Sequence, residues 1–142
     1  MLQETVAKIL IFNENDEVLV LQTGEYAAHP EKEHKPDLPG GIVDAGESER
    51  DAVIREVYEE ARVILDKNAA TLAYSETKSY ASEGKSVTKL LYIARIDNTP
   101  AVTISCEHES YGWVPITSLL KSHEFRPFYK EAIEYIQNNQ LV

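Results

Sequence analysis

Three glutamates, Glu56, Glu59 and Glu60, stand close together in this sequence at spacings that suit a helix. In an α-helix, Glu56 and Glu60 lie one turn apart on nearly the same line, and Glu59 lies about 60° to one side. Like charges at this spacing repel each other by a few tenths of a kcal/mol per pair. Two interpretations follow from the glutamates alone: a solvated helix face on an acidic protein, or a site for a divalent cation.

The residues that precede the glutamates favour the cation site. Gly40 and Gly41 allow backbone angles and close approaches that larger residues do not tolerate. Ser48 is a natural helix N-cap, and Asp51 three residues later completes a capping-box pattern. A glycine-rich loop beside a capped helix with carboxylates is an arrangement that can hold divalent cations against phosphate.

The opposite side of the predicted helix is apolar. We expect this side to pack on the core while the acidic side stays open to solvent. Its residues are Val53, Ile54, Val57, Tyr58 and Ala61.

The spacing over residues 41 to 63 resembles the Nudix box, G-x5-E-x7-R-E-U-x-E-E-x-G-U, in which U is a bulky aliphatic residue. The chain matches every fixed position except one, because Arg62 stands where the family has glycine. Val63 then restores the final aliphatic position, so the register is intact. The matching glycine and charged residues are Gly41, Glu47, Arg55, Glu56, Glu59 and Glu60.

The resemblance implies an α/β fold, namely a Nudix-type α/β/α sandwich with a mixed β-sheet flanked by helices, as a single domain over residues 1 to 142. It also implies a hydrolase that uses Mg²⁺ or Mn²⁺ to cleave a phosphoanhydride bond in a nucleotide-like diphosphate. Such cations neutralise phosphate oxygens and lower the pKa of a bound water.

The same resemblance suggests a role for each matching residue. The positions of Glu56, Glu59 and Glu60 supply metal ligands, with Gly41 beside them, and one glutamate sometimes acts as the base. Arg55 matches an orienting cation. We expect Glu56 and Glu60 to be the firmest ligands because of their i,i+4 spacing, and Glu59 to be a third ligand or the base.

Arg62 leaves two structures open for the end of the helix. Glycine at this position usually closes a helix in the left-handed conformation, which costs arginine about 1 kcal/mol or more. We therefore expect the helix to continue toward Asp66, with Asn68 as a later left-handed cap; the alternative is a left-handed Arg62. The broken position also makes an alternative function plausible, a catalytically silent Nudix-fold module that binds a nucleotide or regulates a partner, although retention of all four box glutamates counts against it.

A further acid lies six residues before Trp113. In several Nudix hydrolases a glutamate before a similar Trp-Val segment completes the metal site or serves as the base, and Glu107 matches it. Glu109 is an equal alternative on chemistry, and His108 could orient a water. A solvated acidic loop is the remaining interpretation.

Composition limits the partners. The chain has 142 residues, 43% of them hydrophobic, which is enough for one core but not for two full domains. A formal net charge of −10 argues against binding a nucleic acid polymer. Cys106 is the one cysteine, and no long apolar segment is present, so we expect a cytoplasmic protein without membrane contact. The oligomeric state stays open, and a homodimer is one alternative.

Hydrophobic patterns predict the remaining elements. Residues 5 to 12 and 18 to 21 form a predicted hairpin, and residues 69 to 80 and 86 to 96 form two long strands joined near Gly84. A strand over residues 111 to 115 precedes a turn capped by Thr117, and Pro127 opens a closing helix.

A polar loop over residues 23 to 37 has the length of a substrate-contacting flap, in which His29 and His34 are expected to be solvated. Three tyrosines could stack a nucleobase but more often serve in packing, and three lysines could meet phosphates. These residues are Tyr74, Tyr80, Tyr92, Lys78, Lys85 and Lys89.

Overall fold

The computed structural model describes residues 2 to 25 and 28 to 141, so residues 26 and 27 of the predicted flap lie outside the described chain. The strands are β1 (Leu2–Phe12), β2 (Glu17–Thr23), β3 (Pro36–Asp37), β4 (Gly40–Ile42), β5 (Thr71–Tyr80), β6 (Lys85–Arg95) and β7 (His108–Pro115). The helices are α1 (Glu49–Ala61), α2 (Ile116–Lys121) and α3 (Pro127–Asn138), with 3₁₀ turns at Pro30–Lys32, Lys67–Ala69 and Ala81–Glu83.

Strand β1 lies at the centre of a mixed sheet. It runs parallel to β6 along its whole length and antiparallel to β2 and β4. The order across the sheet is β3-β2-β1-β6-β5, with β4 also paired to β1 and β7 paired to β2. The predicted long hairpin of β5 and β6 is confirmed, and Gly84 closes it in the left-handed conformation.

Helices cover both faces of this sheet. Successive side chains of β1 point to opposite sides, and both sets are buried because a helix packs on each side. On one face, Ile9 and Ile11 pack with Val53 and Val57 of α1. The other face carries the second core cluster, which includes residues of β1, α2 and α3: Leu10, Phe12, Leu119, Phe128, Ala132, Ile133 and Ile136. The predicted α/β/α arrangement of a mixed sheet is therefore confirmed.

Strand pairing extends two elements beyond their apolar patterns. β1 begins at Leu2 rather than at residue 5, because it pairs with β6 from Lys85 onward. β7 begins at His108 rather than at residue 111, because His108 pairs with Thr23 of β2. Backbone hydrogen bonds to a neighbouring strand thus decide these boundaries.

Helix α1 has the predicted N-cap but not the predicted end. The Ser48 hydroxyl accepts a hydrogen bond from the amide of Asp51. The expected continuation toward Asp66 is wrong: the helix ends at Ala61, and Arg62 is the left-handed cap with φ 56° and ψ 29°. Its amide donates to the carbonyl of Tyr58 at 2.9 Å.

Burial after the helix explains this end. Val63 and Leu65 are 3% and 5% exposed, whereas Ile64 between them is 84% exposed. Only an extended segment can alternate in this way, so the helix has to stop before Val63 for both side chains to enter the core. The Arg62 guanidinium lies 4.8 Å from the ring centroid of Tyr58, a cation–π contact that offsets part of the backbone strain.

Two expectations about α1 and one about α2 need correction. Tyr58, assigned to the packing face, is 45% exposed, while Glu60, assigned to the open face, is buried at 6%. The α2 helix begins at Ile116 with Pro115 at its N-cap, so Thr117 does not cap it. Burial of Ile116 and of Leu119 fixes where α2 begins, overriding the capping preference of threonine.

No helix of the described residues is both long and apolar enough to span a membrane.

Candidate active site

Glu60 lies in the last turn of α1 and points into the protein. Its Oε1 accepts a hydrogen bond from the amide of Gly40 at 2.8 Å. Burial raises the pKa of Glu60 to about 7, although the charge of Lys8 and the Gly40 bond act in the opposite direction. A carboxylate held in this way is a strong acceptor for a cation.

The expected glycine loop is a short strand, β4, wedged between β1 and α1. Gly40 has φ +131°, and a Cβ on it would lie 2.1 Å from the carbonyl oxygen of Ala7. A Cβ on Gly41 would lie 2.9 Å from the carboxylate of Glu56. Both glycines are therefore required for the backbone to approach its neighbours, and Gly41 lies directly beside the acids.

Arg55 forms hydrogen bonds with acids before and within α1. Its Nε donates to Glu47 at 2.7 Å, and its Nη1 donates to Glu56 at 3.2 Å and to Glu59 at 3.1 Å. The hydrogen bonds that Arg55 donates to Glu47, and then those to Glu59, raise the pKa of Arg55 despite some desolvation. Burial raises the pKa of Glu56, with Arg55 opposing the change.

Glu107 and His108 meet Glu60 from the other side of the cavity. One ligand atom from each of the three residues lies within 4.8 Å of the others. His108 Nδ1 is buried and has no hydrogen-bond partner in the described chain. Burial lowers the pKa of His108, so its imidazole is neutral near pH 7 and free to offer a lone pair.

The alternative acid, Glu109, has a different partner. His34 Nδ1 lies 3.0 Å from Glu109 Oε2, and this contact raises the pKa of His34. Both side chains are about half exposed. Glu109 thus ties the polar loop to β7, whereas Glu107 joins the Glu60 group.

Most of the predicted site residues surround one cavity of about 540 Å³. Its lining includes Gly41, Glu56, Glu60, Glu107 and His108. Glu59 does not line it, because its half-exposed carboxylate is turned toward Arg55. Arg55 does not line the cavity either and reaches it through Glu56.

The predicted flap contributes to the same cavity through Thr23, Gly24, Glu25 and Lys32. His29 and His34 are exposed, as expected for this loop.

Sequence reasoning missed a buried ionic network behind the acids. Lys8 Nζ donates to Asp37 at 3.2 Å, to the carbonyl of Leu38 at 3.1 Å and to the carbonyl of Gly40 at 3.1 Å. Asp37 also accepts from the Tyr129 hydroxyl at 2.5 Å and from Arg126 at 3.3 Å.

This network anchors β4 to β1 and α3. Burial opposes ionisation of Asp37, but Lys8, Arg126 and Tyr129 together outweigh it and lower the pKa of Asp37. The one signal in the sequence was a lysine within the apolar run of β1, where a charge is expensive unless it is paired.

The three tyrosines that could stack a nucleobase lie in different environments. Tyr74 packs against Phe128 and Tyr135, and Tyr92 is buried in the core, so both serve in packing. Tyr80 remains 37% exposed and lines a second cavity. Among the lysines, Lys78 pairs with Glu76 at 3.3 Å.

Comparison with known proteins places this geometry in a family. Residues 1 to 136 match the model of the NUDIX domain. The bis(5'-nucleosyl)-tetraphosphatase [asymmetrical] of Caenorhabditis elegans is 31% identical over 109 residues, which cover 77% of this chain and 75% of that protein. The chain belongs to the NUDIX family and is a Nudix-type pyrophosphohydrolase, an enzyme that acts on acid anhydrides.

Solved structures agree with this assignment. The MutT protein from Methanosarcina mazei Go1 superposes with a TM-score of 0.80 at 25% identity, covering 98% of this chain and 96% of that one. An Ap4A hydrolase from C. elegans superposes with a TM-score of 0.72 at 25% identity, covering 97% and 98% of the two chains.

Proposed function

We propose that this enzyme depends on a divalent cation, Mg²⁺ or Mn²⁺, to hydrolyse a phosphoanhydride bond in a nucleotide-like diphosphate. The observation that carries the proposal is the group of Glu60, Glu107 and His108, with one ligand atom each within 4.8 Å. Glu56 and Gly41 line the same cavity.

The chemistry of these donors fits such a cation. A buried carboxylate with a pKa raised to about 7 and a buried imidazole nitrogen without a partner in the described chain both gain from a positive charge between them. Carboxylate oxygens suit Mg²⁺ and Mn²⁺, and imidazole is an accepted additional ligand. The groups would therefore hold the cation at the buried end of the cavity.

When bound, the cation would neutralise phosphate oxygens and lower the pKa of an attacking water. Glu56, Glu60 and Glu107 are the proposed carboxylate ligands, His108 the proposed additional imidazole ligand, and Gly41 the proposed backbone contribution. Glu59 keeps its proposed part as a further ligand or as the base, but its carboxylate would have to leave Arg55 to reach the cavity.

Arg55 is proposed to orient the acids. Its guanidinium joins Glu47, ahead of the helix, to Glu56 within it. The Glu56 side chain is 18% exposed and lines the cavity. The contact with Arg55 therefore holds the Glu56 carboxylate in its position at the cavity.

The alternative function, a catalytically silent module that binds a nucleotide or regulates a partner, has less support from the structure. Arg62 was the sequence feature that favoured it, and Arg62 caps α1 and contacts Tyr58 without lining the cavity. The substitution therefore has a local structural explanation.

A product-release screen tests the proposal. Nucleoside triphosphates, sugar nucleotides and dinucleoside polyphosphates would each be incubated with Mg²⁺, Mn²⁺ or EDTA. We include dinucleoside tetraphosphates because a C. elegans relative bears the name of an enzyme for them. Turnover is expected with either metal and not with EDTA.

Matched variants complete this test. Glu56→Gln and Glu60→Gln are expected to lower turnover by more than about 100-fold. Glu134→Gln, at an exposed position of α3, removes the same charge away from the cavity and should retain wild-type turnover. Full activity of both box variants would disprove the assignment.

A further inference from the structure

A second cavity, of about 380 Å³, lies on the α3 side of the sheet. Lys85, Val87 and Lys89 alternate along β6 and point into it. Two residues further on, Leu91 lies on the same side and is buried among the α3 residues. One face of β6 is thus covered by α3 near Leu91 and forms the floor of the cavity from Lys85 to Lys89.

Positive charge dominates this cavity, although acids outnumber Lys and Arg by 24 to 14 in the whole chain. The acids in its lining are Glu4 and Glu83. Against them stand five cations: Lys8, Lys32, Lys85, Lys89 and Arg126. We call this lining the basic groove.

Three of these cations have no close ion-pair partner among the described residues, although Glu76 lies opposite Lys89 across the β5–β6 pairing and attracts its charge at longer range. Lys32, Lys85 and Lys89 form no ion pair with any residue in the described part of the chain. Lys89 is held over the ring of Phe128, with Nζ 5.5 Å from the centroid. Burial lowers the pKa of Lys89, and repulsion from Arg126 adds to the effect. An anion in the groove would relieve this repulsion.

The basic groove and the acidic cavity are continuous, since Lys8, Lys32 and Arg126 line both. A substrate with one phosphate at the Glu60 group can therefore extend its remaining phosphates past Lys32 toward Lys89. Tyr80 stands at the groove with 37% of its surface exposed and offers an aromatic face there.

We propose that the basic groove binds the phosphate chain beyond the cleaved bond. The enzyme then prefers nucleotides with three or more phosphates over substrates with two, such as nucleoside diphosphate sugars. This inference rests on the proposed function, because it identifies the substrate class of the same site.

Paired double variants test the preference. Lys85→Gln/Lys89→Gln removes two groove charges, and Lys67→Gln/Lys121→Gln removes two exposed charges outside both cavities. For a dinucleoside tetraphosphate and a nucleoside triphosphate, the groove variant should lower kcat/KM by roughly 10- to 100-fold. For a nucleoside diphosphate sugar the decrease should stay below about threefold. Equal losses on both substrate classes, or an equal loss in the control, would overturn the proposal.

Binding without metal separates this proposal from the hydrolysis itself. In EDTA, calorimetry should show that the wild type binds inorganic tripolyphosphate more tightly than pyrophosphate, and that the groove variant loses this difference. Adenosine triphosphate in the same titration shows whether the nucleoside adds affinity or the phosphate chain suffices; either result supports the groove. If no substrate is hydrolysed with any metal, a Lys85- and Lys89-dependent affinity still supports it.

The single variant Lys32→Gln tests the groove independently, in case the double variant Lys85→Gln/Lys89→Gln does not fold properly. Its side chain is exposed in the polar loop, so its replacement leaves the core unchanged. It should weaken tripolyphosphate binding several-fold with an unchanged thermal transition. Unchanged affinity in both Lys32→Gln and the groove variant would exclude the groove as a phosphate site.

Discussion

The amide of Gly40 donates a hydrogen bond to the Glu60 carboxylate at 2.8 Å, although 20 residues separate them in sequence. Lys8 meanwhile holds the carbonyl of Gly40 at 3.1 Å. The backbone of one residue thus connects the buried acid of α1 to the buried cation of β1. The predicted metal ligand Glu60 is therefore held in place by the same residue, Gly40, that Lys8 anchors.

Glu60 is expected to destabilise the metal-free protein at neutral pH. Because its folded pKa is raised to about 7, the folded state keeps a proton that the unfolded state loses above its ordinary pKa of 4.5. Stability therefore falls as pH rises from about 4.5 to 7, by on the order of 3 kcal/mol. Glu60→Gln should unfold at higher temperature than wild type at pH 8 in EDTA, with little difference at pH 4.5.

Thermal unfolding with and without metal checks this interpretation. Millimolar Mg²⁺ or Mn²⁺ should raise the transition temperature of the wild type at pH 8 and leave that of Glu60→Gln nearly unchanged. Glu134→Gln should respond to metal like the wild type. A Glu60→Gln variant that is less stable than wild type at pH 8 would contradict the expected burial penalty.

Asp37→Asn should leave Lys8 buried without a negative partner. The Lys8 side chain is 11% exposed, and loss of one partner of a buried pair costs about 3–5 kcal/mol. Asparagine can still accept from Tyr129, so the loss reports mainly on the charge. Urea unfolding measures it, and the double variant Lys8→Met/Asp37→Asn should recover part of the stability. Equal stability of Asp37→Asn and wild type would show that the pair is dispensable.

Arg62 should affect stability and not activity. Glycine removes the strain of a left-handed arginine, about 1 kcal/mol, but loses the Tyr58 contact, about 0.5–1 kcal/mol at an exposed site. Alanine loses the contact and keeps the strain. Arg62→Gly should therefore be at least as stable as wild type, and Arg62→Ala about 0.5–1 kcal/mol less stable. Kinetics on the best substrate should give the same kcat for all three proteins.

Gly41→Ala should impair the site more than the fold. Its new Cβ would lie 2.9 Å from the Glu56 carboxylate, which has to move away from the cavity. Gly112→Ala is the matched control, since its Cβ would make an ordinary contact at 3.8 Å with Val114. We expect a loss of about 10- to 100-fold in kcat/KM for Gly41→Ala and little change for the control. Equal kinetics in both would show that the Glu56 position is not critical.

The sequence alone determined the features that depend on near neighbours. Periodic acids at positions 56 and 60, the Ser48 cap and the β5–β6 turn at Gly84 are all set within a few residues, and the structure has each of them. The Nudix spacing identified the family for the same reason, because its fixed residues occupy one loop and one helix.

The tertiary structure decided what depends on distant neighbours. Hydrogen bonds from Ser105 to the Glu60 carbonyl and from Gly24 to the Glu107 carbonyl hold the turn before β7, which brings Glu107 rather than Glu109 beside Glu60. Packing of β3 and β4 against β1 likewise buries Lys8 with Asp37. Arg62 closes the helix because Val63 has to enter a core built from other strands. Local preferences of a fraction of a kcal/mol to about 1 kcal/mol favour one conformation, but burial of a single core side chain contributes about 1.5–3 kcal/mol and prevails.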